Sequence, residues 1–300
     1  MQNIFSYRGN ILSTEPPTRF LLYIDILGFK DMTLNDPRKV ARVYSILDKL
    51  NVHKHPNFKT IVFSDTILTY NPELVESKED REYIVWYLTE FAEDLYSRLV
   101  GQDIYFRAIL VGGDFHHFQL ENVQCFFGGA LIRAYLAEQG MPFFGLVMHK
   151  DCVPYNRYFR LDEFNDEFSF VYLSRPIEQL HNLGAKSYPV SFPEVDDMAP
   201  DMPESVRFLR DIYALMRGRR APEIRAKALT VWDFYFRRYP EIVSALVASN
   251  FSVDALGPRG AWKDEKAALE EKIKYYKRIG SGTEMSIAVQ KFSKSRNGNP

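Results

Sequence analysis

Residues 19–32, RFLLYIDILGFKDM, constrain the fold more than any other stretch of this chain. The run is apolar enough to be a buried strand, yet it carries a carboxylate, Asp25, in its middle. A buried, unpaired carboxylate is strongly disfavoured or else shifts its pKa and neutralises, so a chain that keeps one pairs it or gives it a cation. Residues 59–70, KTIVFSDTILTY, repeat the oddity, with Asp65 interrupting a second β-branched run.

A chain of 300 residues, 46% hydrophobic and 15% aromatic, has material for one large packed domain or two modest ones. The formal net charge of -1 excludes a generally basic nucleic-acid binder, so an anionic ligand has to be met locally. Cys125 and Cys152 form neither a CxxC nor a paired spacing, which argues against a disulfide framework or a structural zinc site and makes the cytosol the default compartment. There is no basic segment leading into an apolar signal region, and no uncharged apolar run of the roughly 18 to 20 residues that span a bilayer. The expectation is a soluble, cytoplasmic protein without a membrane partner.

Along the chain, residues 1–18 read as an irregular arm and 19–29 as a strand. Residues 37–50 read as an amphipathic helix opened by Asp36, with proline at its first position. Ser64-Asp65-Thr66 suits a tight hairpin turn between two short strands, which places Asp65 at the tip. Apolar residues recur at helical spacing through 81–100 (Ile84, Leu88, Phe91, Leu95, Leu99), and Gly101 stands at the cap position. Residues 104–111 form the next strand, which Gly112-Gly113 should turn toward a partner around 123–127; a helix at 129–139 and a strand at 143–149 follow. The order β-α-ββ-α-ββ-α-β, with helices all able to cover one side of a mostly antiparallel sheet, is an α+β, ferredoxin-like arrangement with an added strand pair. A further strand is expected at 168–173, closing a domain of residues 19–188. Residues 189–203, rich in proline and acids, read as a connector, 204–290 as a helical C-terminal region and 291–300 as a disordered tail.

If the two interrupted strands are neighbours, Asp25 and Asp65 converge at one end of the sheet. Magnesium takes hard oxygen ligands, typically one or two carboxylates with substrate phosphates and water, so the pair fits that count. The backbone carbonyl of Ile26 would supply another ligand, and Gly28 would let a triphosphate approach the main chain. The competing reading is a strand-end acid that caps an amide or pairs with Arg107 or Lys30. His53, His55, His116 and His117 read as solvated loop residues, and the aromatic run at 231–239 as a helix packed into a core or an interface.

The segments YIDILGF, VFSDT, FRAILVGG and FFGGALIRAYLAEQ, in that order within residues 19–150, resemble the motifs of class III nucleotidyl cyclases. Their short, polar-poor versions are closest to the pyrimidine cyclases of bacterial Pycsar anti-phage defence. The resemblance implies a ferredoxin-like cyclase domain with extra C-terminal helices, working as a head-to-tail homodimer with interfacial active sites. Asp25, Asp65 and the Ile26 carbonyl would hold two Mg2+ or Mn2+ ions, and Gly28 and Phe29 would lie at the triphosphate. The reaction it implies closes a 3′,5′-cyclic nucleotide and expels pyrophosphate, the product being read by a separate effector. Purine cyclases of the class read the base with a lysine and an acid where this chain has Ile61 and Cys125, which favours UTP or CTP. The class's helical asparagine and arginine are replaced by Ile132 and Leu136, leaving Arg107, Arg133 and Lys59 as substitutes for contacts to phosphate, with Tyr44 offered to the base. A catalytically silent nucleotide sensor or interaction module, and a polymerase-like nucleotidyl transferase, remain open alternatives.

Overall fold

The computed structural model describes residues 16–185, 187–191 and 201–279. Residues 1–15 of the expected arm, 192–200 of the connector, 280–290 of the helical region and the whole of the expected tail lie outside the described residues.

The apolar run of the first motif becomes β1 (Phe20–Ile26), flanked on both edges by antiparallel partners, β3 (Thr66–Tyr70) and β4 (Phe106–Gly112). Both its faces are covered. Phe20, Leu22, Ile24 and Ile26 enter one core with α1 (Phe29–Asn35), α2 (Pro37–Leu47), α3 (Lys78–Leu99) and α9 (Lys263–Arg278). Leu21 and Tyr23 enter a second core with α4 (Gly129–Gly140), α5 (Arg175–Asn182), α6 (Met202–Arg217), α7 (Pro222–Arg238) and α8 (Pro240–Ala248). The expectation that helices cover one side is therefore corrected. β1 and β4 are apolar at both alternating sets of positions, and such strands are stable only between two layers.

The fold is α+β. β2 (Lys59–Phe63), β7 (Gly145–His149), β9 (Phe168–Val171) and β8 (Leu161–Glu163) complete a mostly antiparallel sheet of order β2-β3-β1-β4-β7-β9-β8. The first four strands form the split β-α-β core expected of the sequence, with β3 inserted beside β1 and β2 at the edge. β7 joins β4 in parallel. The strand around 123–127 does not pair with β4, whose two edges are occupied by β1 and β7. Instead β6 (Gln124–Phe127) pairs with β5 (His116–Gln119) as a separate hairpin. Of the histidines, His53 is exposed as expected, with its Nε2 2.8 Å from the Leu47 carbonyl, whereas the others are half-buried: His117 Nδ1 lies 2.5 Å from the Tyr70 hydroxyl, His116 packs against Phe127 and His55 packs against Tyr87. The aromatic run at 231–239 does enter a core, with Phe234 stacked on Phe170 at 4.4 Å. Among the described residues no helix is long and apolar enough to cross a membrane.

α4 lies inverted relative to an ordinary surface helix. Ala130 and Ala134 face the sheet, whereas Ile132, Tyr135 and Leu136 are 57%, 47% and 60% exposed. Its start is fixed by Asp114, whose carbonyl accepts from Ala130 N at 3.1 Å and whose Oδ2 accepts from Gly129 N at 3.1 Å. Gly128 precedes it at φ 147, where a Cβ would stand 2.3 Å from the Asp114 carbonyl oxygen. Gly128→Ala is expected to destabilise the fold by about 1–3 kcal/mol in urea denaturation. Gly140→Ala, at the open end of the same helix, should change stability by less than about 0.5 kcal/mol.

Candidate active site

Backbone register brings the two anomalous acids together. Asp25, one residue before the end of β1, stands directly opposite Thr66 on β3 and Arg107 on β4. Asp65 belongs to the two-residue turn joining β2 and β3, where Ser64 adopts a left-handed φ of 57. That turn is pinned at two points. Ile26 N donates to the Asp65 carbonyl at 2.9 Å, and the Tyr44 hydroxyl donates to the Ser64 carbonyl at 2.8 Å. The sheet thus delivers a strand carboxylate and a turn carboxylate to one end, as the sequence predicts.

Arg107 stands behind Asp25 on the neighbouring strand. Its Nη2 donates to Asp25 Oδ2 at 3.0 Å, its Nη1 donates to the Glu138 carbonyl at 2.7 Å, and the Glu138 carboxylate meets the same Nη2 that Asp25 does. Burial nevertheless holds the Asp25 carboxyl above the usual carboxylate range. Arg107 opposes that effect, the negative charge of Asp65 adds to it, and Lys227 of α7 opposes it further. The Tyr23 phenol is pushed up in the same way, chiefly by burial and then by both aspartates. Burial, followed by repulsion from Arg107, lowers the Lys227 pKa. Glu138 and Lys227 were not among the residues expected at this site. Glu138 carries a readable signal, because it falls in phase with Ala130 and Ala134 on the buried stripe of α4; Lys227 carries none.

Two carboxylates with a nearby backbone carbonyl suit a divalent cation that completes its shell with phosphate oxygen and water. Among the described residues no group of three or more His, Cys, Asp or Glu is placed to hold a metal ion by itself. The upward pressure of Asp65 on Asp25 is the observation that fits a cation here, since a positive ion between the two would relieve burial and repulsion together. Asp25 Oδ2 is turned to Arg107, leaving Oδ1 for such a ligand.

The other predicted residues divide by position. Gly28 caps α1 at φ 74, and a Cβ there would meet nothing within 4 Å, so the main chain is open to a large ligand. Phe29 is buried, with its ring edge-on to Tyr44 at 5.9 Å. Tyr44 commits its hydroxyl to the Asp65 turn and acts as a positioning residue within this chain. Arg133 and Lys59 lie at the opposite end of the sheet. Arg133 donates to the Gly112 carbonyl at 3.1 Å and to Asp151 at 3.0 Å, and Gly112 stands across from Phe20. Lys59 is opposite Tyr70, which is opposite Leu21. Phe20 and Asp25 are separated by about 17 Å of strand at the usual rise, so one chain does not bring Arg133 and Lys59 to its own aspartates.

No family model matches the chain, and no curated protein matches it. Among solved structures it is similar to the adenylyl cyclase CyaB from P. aeruginosa, at 10% identity over 51% of this chain and 93% of that one, with a TM-score of 0.39. It is similar also to the guanylyl cyclase domain of the RhoGC fusion protein from Blastocladiella emersonii, at 11% identity, 51% and 93% coverage and a TM-score of 0.39. A bacterial light-regulated adenylyl cyclase aligns at 13% identity, over 54% of each chain, with a TM-score of 0.37.

Folding raises the Asp25 pKa, so the folded chain holds that proton more tightly than the unfolded one. The contribution of this group favours folding below the unfolded value and declines as the pH rises through the folded value. Asp25→Asn removes the ionisation and leaves Arg107 on Glu138. Its Tm at neutral pH should equal or exceed that of the unsubstituted chain; a fall of about 4 °C or more, on the order of 1–2 kcal/mol, would mean that the pair with Arg107 is a net support of the fold.

Proposed function

We propose that the chain is a metal-dependent pyrimidine nucleotide cyclase that converts UTP, or less readily CTP, to the 3′,5′-cyclic nucleotide and pyrophosphate. The observation that carries this reading is the convergence of Asp25 and Asp65 at one sheet end, each on the motif that resembles the corresponding motif of class III nucleotidyl cyclases. When bound there, Mg2+ or Mn2+ ions would neutralise the triphosphate and acidify the 3′-hydroxyl. The contribution of the chain is positional. Arg107 orients the Asp25 carboxylate, Tyr44 and the Ile26 amide hold the Asp65 turn, and Gly28 leaves the main chain accessible to phosphates. The 3′-hydroxyl gives its proton to solvent water, its oxygen forms the new O–P bond to the α-phosphorus in line with the P–O bond that breaks, and pyrophosphate departs. The Ile61 and Cys125 positions favour a pyrimidine base, and on the same resemblance the product would be a messenger in anti-phage defence, read by a separate effector.

A homodimer completes this reading. Exposed Ile132, Tyr135 and Leu136 on α4 continue from a hairpin that exposes Phe118, Leu120, Val123 and Phe127. Monomers rarely leave so much large apolar surface on adjoining elements, and a second copy would cover it. Head-to-tail pairing would carry Arg133 and Lys59 of one protomer toward the aspartates of the other. A specific observation favours a second reading, the catalytically silent nucleotide-binding module: Arg107 and Arg133 are both engaged by carboxylates of their own chain.

Incubating the protein with each nucleoside triphosphate and Mg2+ or Mn2+ should release pyrophosphate and a cyclic product from UTP or CTP. Asp65→Ala should lower turnover by at least about 100-fold with its Tm unchanged. Nucleotide binding without pyrophosphate release would instead establish the silent module. Leu136→Glu should dissociate the dimer in sedimentation velocity and reduce turnover with it.

A further inference from the structure

The cyclase-like segments all lie within residues 19–150, so the resemblance gives the C-terminal helices no part in the site. The fold does. The connection between α6 and α7 is held at the end of the sheet that carries Asp25: Arg220 lies 3.9 Å from Asp103, which also takes Lys39 of α2 at 2.9 Å. Two residues on, the Tyr105 carbonyl accepts from Leu27 N at 2.9 Å, directly before Gly28. Leu27 and Tyr105 pack against the same core as Ala228 and Val231 of α7, both fully buried. α7 therefore begins beside the turn that joins β1 to α1, where the main chain at Gly28 is open to a large ligand.

Lys227 precedes Ala228 and lies one turn before Val231, so the packing of α7 draws it in, and the residue is half-buried. Among the described residues its ammonium makes no hydrogen bond and no ion pair, although it acts electrostatically on Asp25 and is repelled by Arg107. Arg107 cannot do the same work, because Asp25 and Glu138 already engage it. β7 places only Gly145 opposite Arg107, where a Cβ would meet nothing within 4 Å, so that strand puts no side chain beside the guanidinium. A half-buried ammonium without a partner bears its desolvation cost with no return. Phosphate oxygen would supply the partner through a charge-assisted hydrogen bond, and phosphate is the anion that a metal on Asp25 and Asp65 would bring with it.

We propose that Lys227 is a phosphate-binding residue of the candidate site, its ammonium directed to the terminal phosphates of a nucleoside triphosphate whose metal ions rest on Asp25 and Asp65. The assignment rests on the nucleotide-binding part of the proposed function and holds for the cyclase and the silent module alike. Isothermal titration of the full chain with inorganic tripolyphosphate in Mg2+ buffer tests it, with UTP titrated in parallel. Saturable binding of tripolyphosphate is expected, weakened at least about tenfold by Lys227→Met. Methionine keeps an unbranched stem and removes the charge, so the Tm of this variant should equal or exceed that of the parent chain. Arg237→Gln removes a like charge from the other end of α7, about 15 Å away along the helix, and should bind tripolyphosphate as the parent chain does. If Lys227→Met fails to fold, Lys227→Gln decides by the same comparison. Equal binding by the Lys227 variant and the parent, or equal weakening by the Lys227 variant and Arg237→Gln, would overturn the assignment and leave the proposed function standing. A parent chain that binds neither tripolyphosphate nor UTP would contradict the proposed function and the assignment together.

Discussion

The guanidinium of Arg107, held between Asp25 and Glu138, is the interaction on which the site depends. It allows β1 to carry a carboxylate into a strand that is otherwise wholly apolar, and it ties β1, β4 and α4 together at one end of the sheet. The compensation is incomplete, since burial and Asp65 keep the Asp25 pKa raised even with Arg107 in place. A carboxylate in that condition gains from a further cation. On the proposed function, this residual electrostatic deficit, more than the count of ligands, is what divalent ions and a triphosphate at the Asp25 end of the sheet would relieve.

The remainder of the fold makes such an imbalance tolerable. β1 and β4 are buried on both faces, so the acids project from a rigid centre and not from a loose edge. The turn bearing Asp65 would be the weak element, yet Tyr44 and Ile26 fix its backbone from two directions. The C-terminal helices are integral to this arrangement. α7 places Lys227 within the electrostatic reach of Asp25, and Lys272 of α9 ties that helix to α6 through Glu204 and to α3 through Ser97. α4 reverses the usual helix pattern, its alanines inward and its large apolar residues outward, which leaves a surface that hydrophobic burial would favour closing with a second chain.

Local patterns were legible where one residue broke a strong rule. Asp25 in an apolar run, Ser64-Asp65-Thr66 between two β-branched runs, and the spacing of Ile84 through Leu99 all correspond to elements with near-predicted bounds. Long-range arrangement was less legible. That helices cover both faces follows from the double apolar alternation of β1 and β4 taken together, which a strand-by-strand reading overlooks. That β6 pairs with β5 follows from β7 claiming the free edge of β4, a tertiary competition invisible in either strand. Glu138 was readable as an acid on a buried alanine stripe, whereas the approach of Lys227 depends on how α7 packs and leaves no trace in its own neighbourhood. Tyr44 was recognised as near the site, but its hydrogen bond to Ser64 assigns it to the turn and not to a base.

The central claim is that the partly compensated Asp25, together with Asp65, forms a cation-holding centre. Titrating Mn2+ into isotopically labelled protein and following amide resonances tests it most directly, because the paramagnetic ion erases signals only near where it binds. The account predicts that substoichiometric Mn2+ removes the resonances of Ile26, Leu27, Asp65 and Thr66 while those of Leu161 and Glu163 on β8, four strands away from β1, persist. Loss of signals elsewhere, with Ile26 and Thr66 untouched, would contradict it.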